Sequence, residues 1–172
     1  LFFSMFVLLC MVVQHVSAQS SGTCGENLTW TLSNGILSIN GTGETFHYVS
    51  DSTSIESAPW MSVRKSIKAA VISEGVSLLG NGLFYGCSNL KMVSLPKTLK
   101  SIEYDVFSYC SSLEDIAIPA SVINIGAWAF SGCYSLKNVS VSDNAIIHGG
   151  AFYHCCSLES ITLPSKLTAV GD

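Results

Sequence analysis

One phrase occurs four times in this 172-residue chain: FYGCSNLKMVSL at 84–95, FSYCSSLEDIAI at 107–118, FSGCYSLKNVSV at 130–141 and FYHCCSLESITL at 152–163. Nothing else in the sequence limits the fold as much. Phe84, Phe107, Phe130 and Phe152 lie 23, 23 and 22 residues apart, and Cys87, Cys110, Cys133 and Cys155 keep that spacing, as do Leu90, Leu113, Leu136 and Leu158. Three residues after each Leu comes a β-branched residue (Val93, Ile116, Val139, Ile161), and two further on Leu95, Ile118, Val141 or Leu163. Pro96, Pro119 and Pro164 follow, with Ser142 in that place in the third copy, and a cysteine-free half copy (Ile67, Ala70, Ile72) precedes the first. A unit this short cannot bury its apolar side alone, whereas stacked copies share one continuous core.

A period of 20–29 residues with an L-x-x-L-x-L core is the mark of the leucine-rich repeat. The expected fold is mainly β: a solenoid of about four repeats of 22–23 residues with an N-terminal β-hairpin cap. Each copy contributes a short strand around its β-branched residue, with side chains alternating in and out and neighbouring copies about 4.8 Å apart. Proline ends the pairing. Leu99/Ile102, Val122/Ile125 and Ile147 supply a second apolar wall, and the phenylalanines close the far side. The linker from Ser142 to Phe152 is one residue shorter than that from Pro119 to Phe130, which a surface turn can absorb.

The repeat settles how its cysteines read. Cys87, Cys110, Cys133 and Cys155 occupy equivalent corners and form a structural column. Buried thiols are the favoured state, since free Cys behaves as a small apolar group. Disulfides between neighbouring rungs are the alternative, and they demand side-chain vectors that a regular ladder does not readily offer. Cys156 takes the place of Ser88, Ser111 and Tyr134 and is expected at the surface. With Cys24, six cysteines follow residue 18, which permits 15 pairings.

Residues 1–18 carry no Asp, Glu, Lys or Arg and end in Val16-Ser17-Ala18. They read as a secretory signal peptide cleaved before Gln19, too short to span a bilayer. The chain opens at Leu1 without a basic n-region, so its start is expected to be missing. In a secreted chain the sequons at Asn27, Asn40 and Asn138 become candidate N-glycosylation sites.

Residues 19–66 do not carry the repeat. LTWTLSNGILSIN alternates apolar and polar residues around Asn34-Gly35, a hairpin signal. Trp30, Phe46, Tyr48 and Trp60 add bulk around Pro59, and the segment is expected to cap the first coil rather than form a sugar-binding domain. Residues 67–172 are the solenoid. Leu167 and Val170 begin a further copy that stops at Asp172, so a C-terminal truncation is expected, with further repeats or a membrane anchor in the missing segment.

Chemistry has few footholds. The net charge of −4, with no run of Lys or Arg, argues against nucleic acid. His154-Cys155 invites a Cys–His dyad, but the column turns the thiol inward. His148, His154, Cys155 and Cys156 lack a recognised metal-ligand spacing. Glu114-Asp115, the only adjacent acidic pair, has one side chain facing the opposite way on a strand, and a solvated face is the better reading. No catalytic residue, cofactor or metal is expected. The outward strand positions are Met92 and Ser94, Asp115 and Ala117, Asn138 and Ser140, and Ser160 and Thr162. They form a candidate binding face, small and polar, suited to a broad protein contact. A glycan at Asn138 would cover it.

IPASVINIGAWAFSGCYSLKNVSV (118–141) resembles the repeat of the BspA-like leucine-rich-repeat proteins, and SGTCGENLTWTLSNGILSINGTGE (21–44) followed by APW (58–60) resembles the segment that often precedes such repeats. The resemblance runs over roughly residues 21–172. It implies a curved solenoid at the cell surface, with adhesion to host proteins or cells as its role. Together with the signal peptide and the scarcity of chemical sites, the expectation is a non-enzymatic module, secreted or at the cell surface, that contacts extracellular or host-surface proteins. A surface-coat glycoprotein with no specific ligand is the alternative.

Overall fold

The computed structural model describes residues 20–48, 57–163 and 165. The signal-peptide reading at 1–18, and Pro164, Leu167 and Val170, lie outside the described residues.

The N-terminal segment begins with three antiparallel strands, β1 (Ser20–Gly25), β2 (Leu28–Ser33) and β3 (Ile36–Gly41). Asn34 and Gly35 connect β2 to β3 with φ of 51° and 79°. Both are left-handed, as a two-residue turn matched to strand twist requires, and Asn and Gly tolerate that best. The hairpin therefore extends by one strand on its outer side. SSGTCG has weak strand propensity and is held by its pairing with β2. The inner strand β3 pairs in parallel with β5 (Ala69–Ile72), Leu37 opposite Ala70 and Ile39 opposite Ile72. A two-residue β4 (Gly43–Glu44) pairs with β6 (Val76–Leu79). Residues 43–48 then run along the first coil, with Thr45 N–H donating to the Leu78 carbonyl and Tyr48 N–H to the Asn81 carbonyl. A 3-10 helix (Met61–Ser66) leads into β5. Trp30 and Trp60 are buried edge to face, ring centroids 5.3 Å apart, and Trp60 Nε1 donates to the Leu83 carbonyl at 3.0 Å. They are packing residues. Phe46 departs from the expected bulk: it is 45% exposed.

Each coil then has three sides. The first holds β5, β7 (Met92–Ser94), β9 (Asp115–Ile116), β11 (Asn138–Ser140) and β13 (Ser160–Thr162). β5 ladders with β7, and β9, β11 and β13 form a parallel set with Asp115, Asn138 and Ser160 in register. β9 lies beside β7, but the two belong to separate hydrogen-bonded sheets.

The second side is also a parallel sheet, in the order β4, β6, β8 (Ser101–Ile102), β10 (Asn124–Ile125) and β12 (Ile146–Ile147). The expected apolar wall is thus laddered backbone. Its strands are mostly two residues long, too short to show an alternation in sequence. Pro96 and Pro119 start the turns that join the two sides: their carbonyls accept from Leu99 N–H and Val122 N–H, and Ser142 does the same for Ala145.

The third side is a run of tight turns, also tied coil to coil. Phe84 N–H donates to Val106, Phe107 N–H to Ala129 and Phe130 N–H to Ala151, at 2.7–2.8 Å. Inside it the phenylalanine rings stack at 5.2, 5.2 and 5.3 Å. Two left-handed columns flank each Phe, at Gly82, Asp105, Trp128 and Gly150 and at Gly86, Tyr109, Gly132 and His154, with φ between 57° and 69°. Glycine takes this conformation freely, whereas an L residue costs roughly 1–2 kcal/mol there.

Candidate binding face

The structure exposes every outward strand position. Met92 is 67% exposed, and Ser94, Asp115, Ala117, Asn138, Ser140, Ser160 and Thr162 are exposed as well. Ala117 lies just past the end of β9 rather than in it. The cause is local. Val93, Ile116, Val139 and Ile161 point into the core, so their neighbours point out.

The first column of this face is a polar ladder in its last three coils. Asn138 Nδ2 donates to Asp115 Oδ1 at 3.4 Å, and Ser160 Oγ donates to Asn138 Oδ1 at 2.8 Å. Along one margin runs a charged column of Lys68, Lys91, Glu114, Lys137 and Glu159, all exposed. Glu114 and Lys137 approach to 3.7 Å, a surface pair of small energetic weight. Glu114 and Asp115 are both exposed, so the expected split between opposite faces does not hold. Glu114 sits one residue before β9, where the alternation has not begun.

The sequence reading missed a second ladder. Asn124 Nδ2 donates to Ser101 Oγ at 2.8 Å and to Glu103 Oε1 at 3.2 Å, and His148 Nε2 meets Asn124 Oδ1 at 2.9 Å. Its signal was present: each member adjoins an apolar residue of the second wall. The three sequon asparagines are exposed, with Asn27 in the β1–β2 turn and Asn40 in β3 opposite Thr29.

The six described cysteines are free thiols. Cys87, Cys110 and Cys133 are buried, Cys155 is half-buried and Cys156 is exposed. The Sγ of Cys110, Cys133 and Cys155 each donates at 3.2 Å to the carbonyl of the Phe in the preceding coil (Phe84, Phe107, Phe130). Burial pushes the Cys24 and Cys87 thiols up to about 12 and Cys155 to about 11, and holds Cys110 and Cys133 well above the ordinary thiol value. Cys155 is therefore a neutral donor turned inward, while His154 is exposed with its ring centroid 4.0 Å from that of Tyr153. The two do not form a nucleophile–base pair. Among the described residues no three His, Cys, Asp or Glu side chains are placed to hold a metal ion. Also among them, no helix is long and apolar enough to cross a membrane. A cleft of about 440 Å³ lies on the N-terminal segment, lined by Glu26, Asn27, Glu44, Phe46 and His47 among others.

Comparison with known proteins places this architecture. The BspA type leucine rich repeat region matches residues 53–172 in six copies. It therefore counts more copies than the four that carry Phe and Cys. A leucine-rich repeat protein of T. pallidum superposes with a TM-score of 0.59 at 25% identity, over 83% of this chain and 71% of that one. One from Eubacterium ventriosum gives 0.61 at 23%, over 83% and 44%. A leucine rich cell surface protein from Faecalibacterium prausnitzii gives 0.55 at 22%, over 88% and 44%. The chain spans less than half the length of the last two, and they share its fold. No curated protein matches it. With the family matched over most of its length and the coils built as above, the chain belongs to the BspA-type leucine-rich-repeat family.

Proposed function

We propose that this chain is a non-enzymatic protein-binding module, secreted or displayed at the cell surface, acting as an adhesin or surface antigen that contacts host or other extracellular proteins. One observation carries the reading. Two outward columns run across the coils as a small, mostly uncharged face on laddered backbone, with the charged column set to one side. Such a face loses little conformational freedom when covered, which favours a broad contact. The repeat scaffold generally serves protein interaction, and the relative from Faecalibacterium prausnitzii is described as a cell surface protein. The test is a binding titration of the secreted chain on candidate host cells, beside a variant altered at Met92, Asp115 and Thr162. Saturable binding that the variant loses supports the reading. Absence of saturable binding by folded protein would refute it.

A second reading, a structural coat glycoprotein without a specific ligand, draws on Asn138. This exposed sequon residue sits in mid-face, between Asp115 and Ser160. A glycan there would shield the columns. Peptide mapping by mass spectrometry before and after enzymatic deglycosylation decides: a modified Asn138 favours the coat, an unmodified one the binding face.

A further inference from the structure

Charge is unevenly spread along the stack. Residues 57–102 supply the 3-10 helix and both strands of each of the first two coils. They hold six of the chain's eight cations (Arg64, Lys65, Lys68, Lys91, Lys97 and Lys100) and one carboxylate, Glu74. Their charge is therefore +5, in a chain of net charge −4. Residues 103–163 reverse the balance, with one lysine, Lys137, and six carboxylates. Lys137 is paired with Glu114 at 3.7 Å. Lys65, Lys68 and Lys91 are exposed, and among the described residues no carboxylate stands within ion-pair distance of them.

The strand face changes character at the same place. Its first outward row reads Ile36, Ala69 and Met92 in register across β3, β5 and β7, then Asp115, Asn138 and Ser160 across β9, β11 and β13. The earlier half is apolar and the later half polar. Ile36 is 45% exposed and Met92 67%, and Val71, in register with Ser38 and Ser94, is 46% exposed. The change falls where hydrogen bonding between β7 and β9 is interrupted. Outward side chains on a strand add nothing to the core, so packing of the coil does not call for an apolar row. Lys68 immediately precedes β5 and Lys91 immediately precedes β7, so each cation adjoins an outward apolar residue. An exposed apolar patch with a charged rim marks an interaction site.

We propose that the first two coils dock an acidic segment of a partner protein, its carboxylates on Lys65, Lys68 and Lys91 and its apolar side chains on Ile36, Val71 and Met92. Charge complementarity selects this occupant, and the apolar row narrows it. An acidic polysaccharide would satisfy the lysines and leave the row uncovered. A lipid surface is entered by the apolar face of an amphipathic helix, whereas these residues lie flat on a laddered sheet. A second copy would bring the same cations to both sides of an isologous contact. A protein segment with carboxylates beside apolar side chains meets none of these objections, and opposite charge steers it to this end of the stack. The far margin of the face is mixed, since Glu74 Oε1 accepts from Lys97 N–H at 3.1 Å. Selection for acid therefore belongs to the margin of Lys68 and Lys91.

This inference rests on the reading of the chain as a protein-binding module, and narrows it to one end of the strand face and one partner chemistry. The test titrates a peptide of alternating Glu and Val into the full chain by calorimetry. Peptides of equal length alternating Lys with Val and Glu with Ser, heparin, and phosphatidylserine vesicles are titrated beside it. Lys68→Glu/Lys91→Glu and Met92→Ser are the test variants, all at exposed positions. Lys137→Glu, the same charge change in a later coil, is the control. The Glu-Val peptide is expected to bind saturably and to weaken as salt rises from about 0.1 to 1 M. Its affinity should fall roughly tenfold or more in the double lysine variant and less in Met92→Ser, and hold in Lys137→Glu. No saturable binding by folded protein, equal binding of either control peptide, no loss in the double variant, or an equal loss in Lys137→Glu would overturn the proposal. So would tighter binding of heparin or vesicles with the same loss in the double variant, which would make a polysaccharide or a lipid surface the occupant. Self-association removed by that variant would overturn it in favour of a second copy. Cell binding that survives Lys68→Glu/Lys91→Glu would overturn this inference and leave the protein-binding reading standing.

Discussion

A thiol in the column has two jobs, to fill a corner and to give its proton to the Phe carbonyl one coil earlier. Both are done by the neutral form, and ionisation would undo both. Burial pushes the Cys87 thiol from an ordinary 9.0 up to about 12 in the fold, and raises Cys110 and Cys133 well above 9.0 as well. Above pH 9 the unfolded chain therefore sheds protons that the folded chain keeps. The unfolded state binds fewer protons, so stability falls with rising pH, by up to roughly 1.4 kcal/mol per pH unit for each such thiol. The melting temperature should stay level up to about pH 9 as far as these groups decide it, then fall toward pH 12. A Cys110→Ala variant should fall less steeply, and an equal slope would show that the column is not the cause. Reactivity follows the same division. In a thiol-disulfide colour assay at pH 8, Cys156 should react first, Cys155 slowly, and Cys24, Cys87, Cys110 and Cys133 only after denaturation. Loss of the fast phase in Cys156→Ser is the check.

At the scale of the element, strands and turns obey different rules, and only one set is legible in the sequence. Val93, Ile116, Val139 and Ile161 announce their strands because the inward residue must be apolar in every copy. Leu113→Ala should cost about 2–5 kcal/mol as a core truncation, since Leu113 is fully buried. Asp115→Ala should stay within about 0.5 kcal/mol. Urea unfolding measures both, and equal costs would refute the register. The second sheet is silent in sequence because two-residue strands hold one inward residue each, which reads the same as a packed turn. The left-handed columns are silent for another reason: Tyr109, Trp128 and His154 are poor predictors of positive φ, and only their alignment with Gly86, Gly82 and Gly132 betrays it. Hence the strand face was readable and the aromatic turn side was not. Replacing Tyr109 by Gly removes about 1–2 kcal/mol of backbone strain and forfeits a ring contact of about 0.5–1.5 kcal/mol with Tyr85. By those two terms the net change in unfolding free energy should lie between a loss of about 0.5 kcal/mol and a gain of about 1.5 kcal/mol. A loss of several kcal/mol would mean that the ring is needed by the fold.

At the scale of the whole molecule, the described residues form a stack in which each layer is laddered to the next, so stability is a sum of layers and the contacts between them. The N-terminal strands belong to that stack. β3 continues one ladder into β5 and β4 starts the other into β6, so the same backbone hydrogen bonding that joins coils joins this segment to the first of them. Close backbone approach sets the layer spacing, and a methyl group placed between layers tests it. A Cβ on Gly126 would sit 2.6 Å from the Glu103 carbonyl carbon, and one on Gly80 would sit 2.2 Å from the Phe46 carbonyl oxygen. Neither contact ends on a side chain that can swing away. Gly149, in contrast, has nothing within 4 Å. Gly126→Ala should therefore part the second and third Phe-bearing coils and cost about 1–3 kcal/mol, while Gly149→Ala should be near neutral. Gly80→Ala should act at the other contact, between the N-terminal segment and the first coil. In a layered molecule the loss should stay local. Hydrogen exchange should quicken at Thr45 and Tyr48, whose N–H groups bond to Leu78 and Asn81, and leave Phe107 and Phe130 N–H protected. Uniform loss of protection in Gly80→Ala would mean that the N-terminal segment and the coils unfold as one unit rather than layer by layer.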